Sequence, residues 1–301
     1  MEKLYFDVQI DCEATQHAIK DPALGERSLR GLAEIFSKNN CKGSFMVIPG
    51  DLKAHSRIYA ELKRDGSEIG VHVHPADQGY EEFLGIYGMD EQKAIIGDAQ
   101  KVFADAMGYM PASFTPGYGS ANDSTFPALH DLGFRQGLVS IPTRDLPQCA
   151  CVWGSSPRWC SYAHRFNRCL EGDLDFVNVP GTIDPESRMW GGRHPQDLRV
   201  ELVDAKNHYY TIEKAIRKQV EDKVPVKYIK ALTHNVFDYS DIHDFRRETL
   251  VKMIQMTRDL ADKYNLLLTP ANTAEIAAAY RQNVPIPKRG VKLELDTRGR
   301  K

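Results

Sequence analysis

Short apolar runs alternate with amphipathic helical segments along most of this chain, and that alternation constrains the fold more than any other feature. Leu4 to Asp11 reads as a strand, Leu24 to Lys38 as a helix with Leu29, Leu32, Ala33 and Phe36 at helical spacing, and Ser44 to Ile48 as the next strand. Leu52 to Arg64 is predicted helical, Ser67 to His74 extended, Asp90 to about Ala106 helical, and Ala112 to Thr115 extended. Asn122 or Asp123 is expected to cap a helix ending near Gly133, followed by a strand from Phe134 to Ser140. The pattern resumes with a helix from Ala205 to Asp222, a strand from Val226 to His234, a helix from Phe245 to Tyr264, a strand from Leu266 to Thr269 and a helix from Thr273 to Tyr280. Repeated βα units of this kind specify a parallel sheet with helices outside it.

Between residues 141 and 200 the rhythm breaks. Six prolines fall there, helical periodicity is lost, and only Asp175 to Val179 reads as a strand. A stretch this long without periodic structure inside a compact fold is usually functional. It also holds all three tryptophans together with Arg144, Arg158, Arg165, Arg168, Arg188 and Arg193. Two readings fit: a lid that selects an anionic sugar, or a loop that packs its aromatics on the wall of the fold. The lid reading makes Arg158, Trp190 and Arg193 candidate substrate contacts, since aromatic faces stack on sugar rings and guanidinium groups grip anions.

With 301 residues the chain can bury a large core, and α/β barrels use this much chain as one unit, so residues 1–301 are expected to form one domain with a flexible tail after about 284. A net charge of -2 gives no field that draws nucleic acid, and no apolar run reaches the length of a membrane span. The N-terminus lacks the basic and apolar segments of a secretion signal, and six cysteines fit a reducing compartment, so a cytoplasmic location is expected. Cys149, Cys151, Cys160 and Cys169 lack the paired C-x-x-C spacing of a zinc knuckle and read as reduced thiols.

Three strand ends carry chemistry. In Ile10-Asp11-Cys12-Glu13 the two carboxylates are two residues apart, so they face one side while Cys12 packs the other way. That pair suits a metal ligand and a general base. In Gly70-Val71-His72-Val73-His74-Pro75 two imidazoles share one face of a strand and can bind one transition metal. In Leu232-Thr233-His234-Asn235 a third strand end offers an acid–base histidine. Together these make a hydrolytic constellation.

The stretch from Cys41-Lys42-Gly43-Ser44-Phe45-Met46-Val47 through Asp65-Gly66-Ser67-Glu68-Ile69-Gly70 to His72, His74 and Pro75 resembles the polysaccharide deacetylases, the NodB-homology group or carbohydrate esterase family 4. Ala128 to Phe134 resembles the segment after that family's third motif. The resemblance implies a distorted (β/α) barrel of seven or eight strands. It also implies Asp11 as general base, His234 as general acid, and a divalent metal, zinc first among the transition metals, held by His72, His74 and Glu13. Thr115, Gly117 and Tyr118 fall in the family's third motif and are implied to face the substrate, with a backbone N–H of the Tyr118–Gly119 loop holding the oxyanion.

Three departures stand out. Cys12 occupies the usual metal-binding Asp position, the histidines are spaced i, i+2 rather than i, i+4, and Thr115 replaces an Arg that orients the base. Arg135, Arg144, Arg158 and Arg193 are candidates to replace that Arg. The implied activity is hydrolysis of the N-acetyl group of an aminosugar, anionic or carrier-linked, in surface-polysaccharide or O-antigen-type assembly. The alternatives are a cyclic-amide or ureide hydrolase, a deformylase on the same fold, or a non-catalytic carbohydrate-binding protein. Oligomeric state is left open.

Overall fold

The computed structural model describes residues 1–189 and 191–287. Its strands are β1 (Glu2–Cys12), β2 (Gly43–Val47), β3 (Glu68–Val73), β4 (Ser113–Pro116), β5 (Gln136–Gly137), β6 (Asp145–Leu146), β7 (Cys151–Val152), β8 (Ser161–Tyr162), β9 (Val177–Asn178), β10 (Ile183–Met189), β11 (His194–Asp197), β12 (Lys227–His234) and β13 (Leu266–Pro270). The α-helices are α1 (Pro22–Lys38), α2 (Pro49–Arg64), α3 (Met89–Met107), α4 (Thr125–Asp131), α5 (Ala205–Glu221), α6 (Phe245–Lys263) and α7 (Thr273–Asn283).

The main sheet runs β12-β1-β2-β3-β4-β5-β9-β8 and curls into a half-barrel. Every pairing along it is parallel except the last, between β9 and β8. β13 pairs with the first half of β1, along residues 2–6, while β2 pairs with the second half, along residues 8–12. The expected α/β class and distorted barrel are what the sheet shows.

β1 explains why the interior is polar. Leu4, Phe6, Val8, Ile10 and Cys12 are fully buried in the core that also holds Leu29, Leu32 and Phe36 of α1. The alternate residues Asp7, Gln9 and Asp11 lie on the opposite, inner face, because side chains alternate along a strand. A buried carboxylate there needs partners. Asp7 contacts the ammonium of Lys230, its register partner on β12, and accepts hydrogen bonds from Ser44 Oγ at 2.9 Å and Thr273 Oγ1 at 3.0 Å. The N-terminus of α7 seals this end of the half-barrel, with Thr273 N–H donating to Ser44 Oγ at 2.8 Å and Ala274 N–H to Glu68 Oε2 at 2.8 Å. The polar floor leaves the opposite end, at the C-terminal ends of the strands, as the open one.

Two local expectations need correction. The apolar run Phe134 to Ser140 enters the sheet only at Gln136–Gly137; Phe134, Leu138 and Val139 are buried by packing, and Val139 N–H bonds the side chain of Asn178 on β9 rather than a strand backbone. Neither Asn122 nor Asp123 caps α4, which starts at Thr125 behind Ser124. Asn122 is spent on the loop before α3, donating to Gly85 O and Tyr87 O. Residues 141–200 also contain more ladder than expected: a β6–β7 hairpin, a β10–β11 hairpin and a bridge from Arg199 to Leu232 on β12. Ladders of two to four residues carry no readable periodicity. Among the described residues no helix is long and apolar enough to cross a membrane.

Candidate active site

Asp11, Glu13, His72, His74 and His234 line one cavity of about 200 Å³ at the open end of the half-barrel. The register places them there: Asp11 lies beside His234 across β1 and β12, and His72 beside Thr115 across β3 and β4. Cys12 points the other way, fully buried, with its Sγ 3.6 Å from Ile10 O, so its side chain packs in the core and not in the cavity.

Glu13 is the centre of the cluster. One of its oxygens, Oε2, lies 2.8 Å from His74 Nε2 and 3.4 Å from His72 Nε2, and its Oε1 lies 4.0 Å from His234 Nε2. Burial works against its charge, but hydrogen bonds from His72 and His74 hold the carboxyl well below the usual range. The loop that carries Glu13 is clamped by Asn235, whose Oδ1 accepts from Glu13 N–H at 2.7 Å and Ala14 N–H at 3.0 Å. Asn235 is in turn held by Asp51 at 2.8 Å.

Each histidine is oriented through its second nitrogen. His72 Nδ1 bonds the backbone carbonyl of Thr115 at 2.9 Å, and His74 Nδ1 contacts Glu82 Oε1. Both rings therefore turn Nε2 toward Glu13. Burial opposes protonation of His74, but Glu13 and Glu82 together raise it to about 10. Ligand atoms of Glu13, His72 and His74 all lie within 4.8 Å of one another, the one such group of three among the described residues. Two imidazoles and a carboxylate with outer hydrogen-bond partners are a donor set that fits a divalent transition metal.

His234 is oriented by Glu201, which contacts its Nδ1 and accepts from Thr233 Oγ1 at 3.1 Å. Burial lowers the pKa of His234, but the charge and hydrogen bond of Glu201, followed by Glu13, outweigh it and lift the value to about 9. Asp11 is held by Gln9, whose Nε2 donates to Asp11 Oδ1 at 2.9 Å and to Thr115 Oγ1 at 3.1 Å. An amide thus occupies the orienting position beside Asp11 and brings no charge with it.

The loop after β4 forms a wall. Thr115, Pro116, Tyr118 and Gly119 line the cavity. Gly117 is required by proximity, since a Cβ there would lie 2.8 Å from the His74 ring. Tyr118 takes φ +60°, ψ 2°, a left-handed conformation that costs a non-glycine residue roughly 1–2 kcal/mol. The turn is pinned by Arg144 Nη1 on Tyr118 O at 3.0 Å and Trp153 Nε1 on Gly119 O at 2.9 Å.

The expected contacts from residues 141–200 divide. Arg158 donates to Ile183 O and stacks on Trp159, Arg193 is exposed, and neither lines the cavity; Trp190 lies outside the described residues. Trp153 is fully buried, and Arg135 reaches backbone carbonyls of its own loop. Of the four arginines considered, Arg144 lines the cavity, joined by Arg199. Gln9, Glu82, Arg199 and Glu201 were not foreseen. The i, i+2 pattern could have flagged Gln9 before Asp11, whereas Glu82, Arg199 and Glu201 have no signal of their own in the sequence.

Residues 22–137 match the family model for polysaccharide deacetylase. The match covers 116 of the 301 residues and makes that stretch similar to the polysaccharide deacetylases. Solved structures share the deacetylase fold over nearly the whole chain. One, assigned as a polysaccharide deacetylase from Mycobacterium smegmatis, is 14% identical with a TM-score of 0.64, over 98% of this chain and 96% of that one. Another with the same assignment, from Pseudomonas aeruginosa PAO1, is 12% identical with a TM-score of 0.62, over 94% and 93%. An allantoinase is 10% identical with a TM-score of 0.63, over 94% and 92%. No curated protein matches the sequence.

Proposed function

We propose that the protein is a metal-dependent hydrolase that cleaves the amide of an N-acylated aminosugar, with Asp11 as general base and His234 as general acid. The observation that carries this is the convergence of Asp11, Glu13, His72, His74 and His234 on one cavity. Glu13, His72 and His74 are the residues that would hold the ion, zinc by ligand preference. Bound there, a divalent ion supplies Lewis acidity toward an acyl carbonyl and an attacking water. Asp11, fixed through Oδ1 by Gln9, takes a proton from that water. His234 stays protonated at neutral pH because of Glu201, and it delivers its Nε2 proton to the departing nitrogen. Tyr118 and Gly119 line the same cavity, and a backbone N–H of that turn is our candidate to hold a developing oxyanion.

The described residues are read as one domain, with residues 141–200 as an insertion that closes one side of the cavity through Ile141, Arg144 and Arg199, and most of the expected tail after about 284 lies outside the described residues. Cysteine usage supports a cytoplasmic setting, and so a nucleotide-linked or carrier-linked precursor as substrate rather than a finished polymer.

A cyclic-amide or ureide hydrolase is the second reading, favoured by the size of the cavity. At about 200 Å³ it is smaller than the ~300–1,000 Å³ of pockets for larger ligands.

Two variants test the roles. Asp11→Asn should cut kcat by about 10²–10⁴ with metal content unchanged. Glu13→Gln should lose metal and recover activity when metal is titrated back. Rescue of Asp11→Asn by excess metal, with Glu13→Gln unresponsive, reverses the two assignments. Ring opening of allantoin or a cyclic imide, with no release of acetate from N-acetylated sugars, selects the second reading.

A further inference from the structure

Among the described residues the guanidinium of Arg199 has one ion-pair partner, Asp197, and that contact is long. The Arg199 side chain is 17% exposed, and it lines the cavity with Asp11 and His234. Its Nε is shielded from solvent and has no hydrogen-bond partner among the described residues. The nearest carboxylate oxygen is Asp197 Oδ2, at 4.0 Å, beyond hydrogen-bond reach.

Burial lowers the pKa of Arg199, but the charges of Asp197, Glu201, Asp11 and Glu13 outweigh it, and each of these acids has another partner. Asp197 Oδ1 accepts from the backbone N–H of Arg199 at 3.1 Å. Glu201 serves His234 and Thr233, Asp11 is held by Gln9, and Glu13 by the two histidines. Arg199 therefore balances local charge without satisfying its Nε. Leaving a mostly buried guanidinium in this state is costly unless something else supplies acceptors.

A second cation faces the same space. Arg144 is 4% exposed, lines the cavity, and spends Nη1 on Tyr118 O. Burial lowers its pKa, and the charge of Arg199 adds to that effect, which puts the two guanidiniums in each other's field. Two neighbouring cations in a small cavity are stabilised together by one bridging anion.

We infer that Arg199, with Arg144 beside it, forms an anion subsite within the catalytic cavity, and that the substrate presents a carboxylate there while its acyl group lies at the Glu13, His72 and His74 cluster. The subsite deepens the hydrolase reading and rests on it for the position of the acyl group. The small cavity places the carboxylate within a few bonds of the amide. A phosphate on a distant carrier does not meet that requirement.

The test uses a matched pair of probes, N-acetylglycine and its neutral analogue N-acetylglycinamide. Binding is followed by ligand-observed NMR and calorimetry on the full chain carrying His72→Ala and His74→Ala, so that no metal ligates the carboxylate. The acid should bind at least about tenfold more tightly than the amide. Adding Arg199→Gln should bring the two within about threefold, and Arg199→Lys should keep part of the preference. Equal affinities, no measurable binding of the acid, or a preference that survives Arg199→Gln overturns the subsite. The contrast in the parent protein stands even if Arg199→Gln does not fold. Hydrolysis of neutral N-acyl sugars with no acid preference sinks the subsite alone, whereas acid preference without hydrolysis of any acyl compound sinks the hydrolase reading.

Discussion

Gln9 and Asp11, two residues apart on one strand, are joined by a 2.9 Å hydrogen bond, and the same Gln9 amide reaches Thr115 on a strand more than a hundred residues later. The contact fixes one carboxylate oxygen of Asp11 and leaves the other toward the cavity. Replacing Gln9 with Leu should lower kcat by about tenfold with KM little changed, because orientation of the base matters in the transition state. It should also cost about 1–3 kcal/mol of stability, since two buried polar groups lose a partner. Steady-state kinetics and urea unfolding read the two effects separately. An unchanged kcat removes Gln9 from the machinery.

Glu201 sets the working range of His234. In the proposed mechanism the imidazolium is the active form, so activity should fall as pH rises through its pKa, lifted to about 9 against the opposing effect of burial. Glu201→Gln removes the largest raising influence, and the alkaline limb of kcat should move down by at least about one pH unit, toward the unperturbed histidine value of about 6.5. A limb that stays in place shows that another group sets it.

With His74 as a proposed metal ligand, metal and proton should compete for its ring. Burial disfavours the charged ring, but Glu13 and Glu82 hold its pKa near 10 in the metal-free protein. At pH 7.5 that ring carries a proton, and a metal ligand must be neutral, so binding should release about one proton. Calorimetry of zinc binding in two buffers of different ionisation enthalpy measures it directly. Apparent affinity should rise with pH up to about 10, and Glu82→Gln should shrink both the release and the slope.

Gly117→Ala tests how tightly the β4 loop is fitted to the site. The added methyl would meet three atoms of the His74 ring at 2.8–2.9 Å. The ring must tilt or the loop must move, and in either case zinc affinity should drop about tenfold or more while the fold persists. Zinc titration with circular dichroism alongside checks both halves. Metal affinity equal to the parent protein means the loop can relax away at no cost.

Asn235→Ala should act on stability first. Its side-chain oxygen takes both the Glu13 and the Ala14 backbone N–H. Losing that acceptor leaves two shielded donors and should destabilise the protein by about 1–3 kcal/mol, read as a lower urea midpoint at unchanged m-value. Metal affinity should fall too, because the clamp positions Glu13.

What the sequence determined by itself is everything that depends on strand and helix period. The βα alternation specified a parallel sheet with helices outside it. Two-residue spacing put Asp11 with Glu13 and His72 with His74, and turned Cys12 into the core. These are local properties of a chain with fixed backbone geometry, so they are legible before folding. The tertiary structure alone decided which distant side chains complete the site. Glu201 meets His234, Glu82 meets His74, and Arg199 enters the cavity while Arg158 and Arg193 stay outside it. Glu82 arrives on the segment between β3 and α3, while the arginines and Glu201 are placed by the register of the curled sheet and by two- to four-residue ladders between residues 141 and 200. Ladders so short leave no period to read, and an arginine that will face the cavity looks the same in sequence as one that will face water.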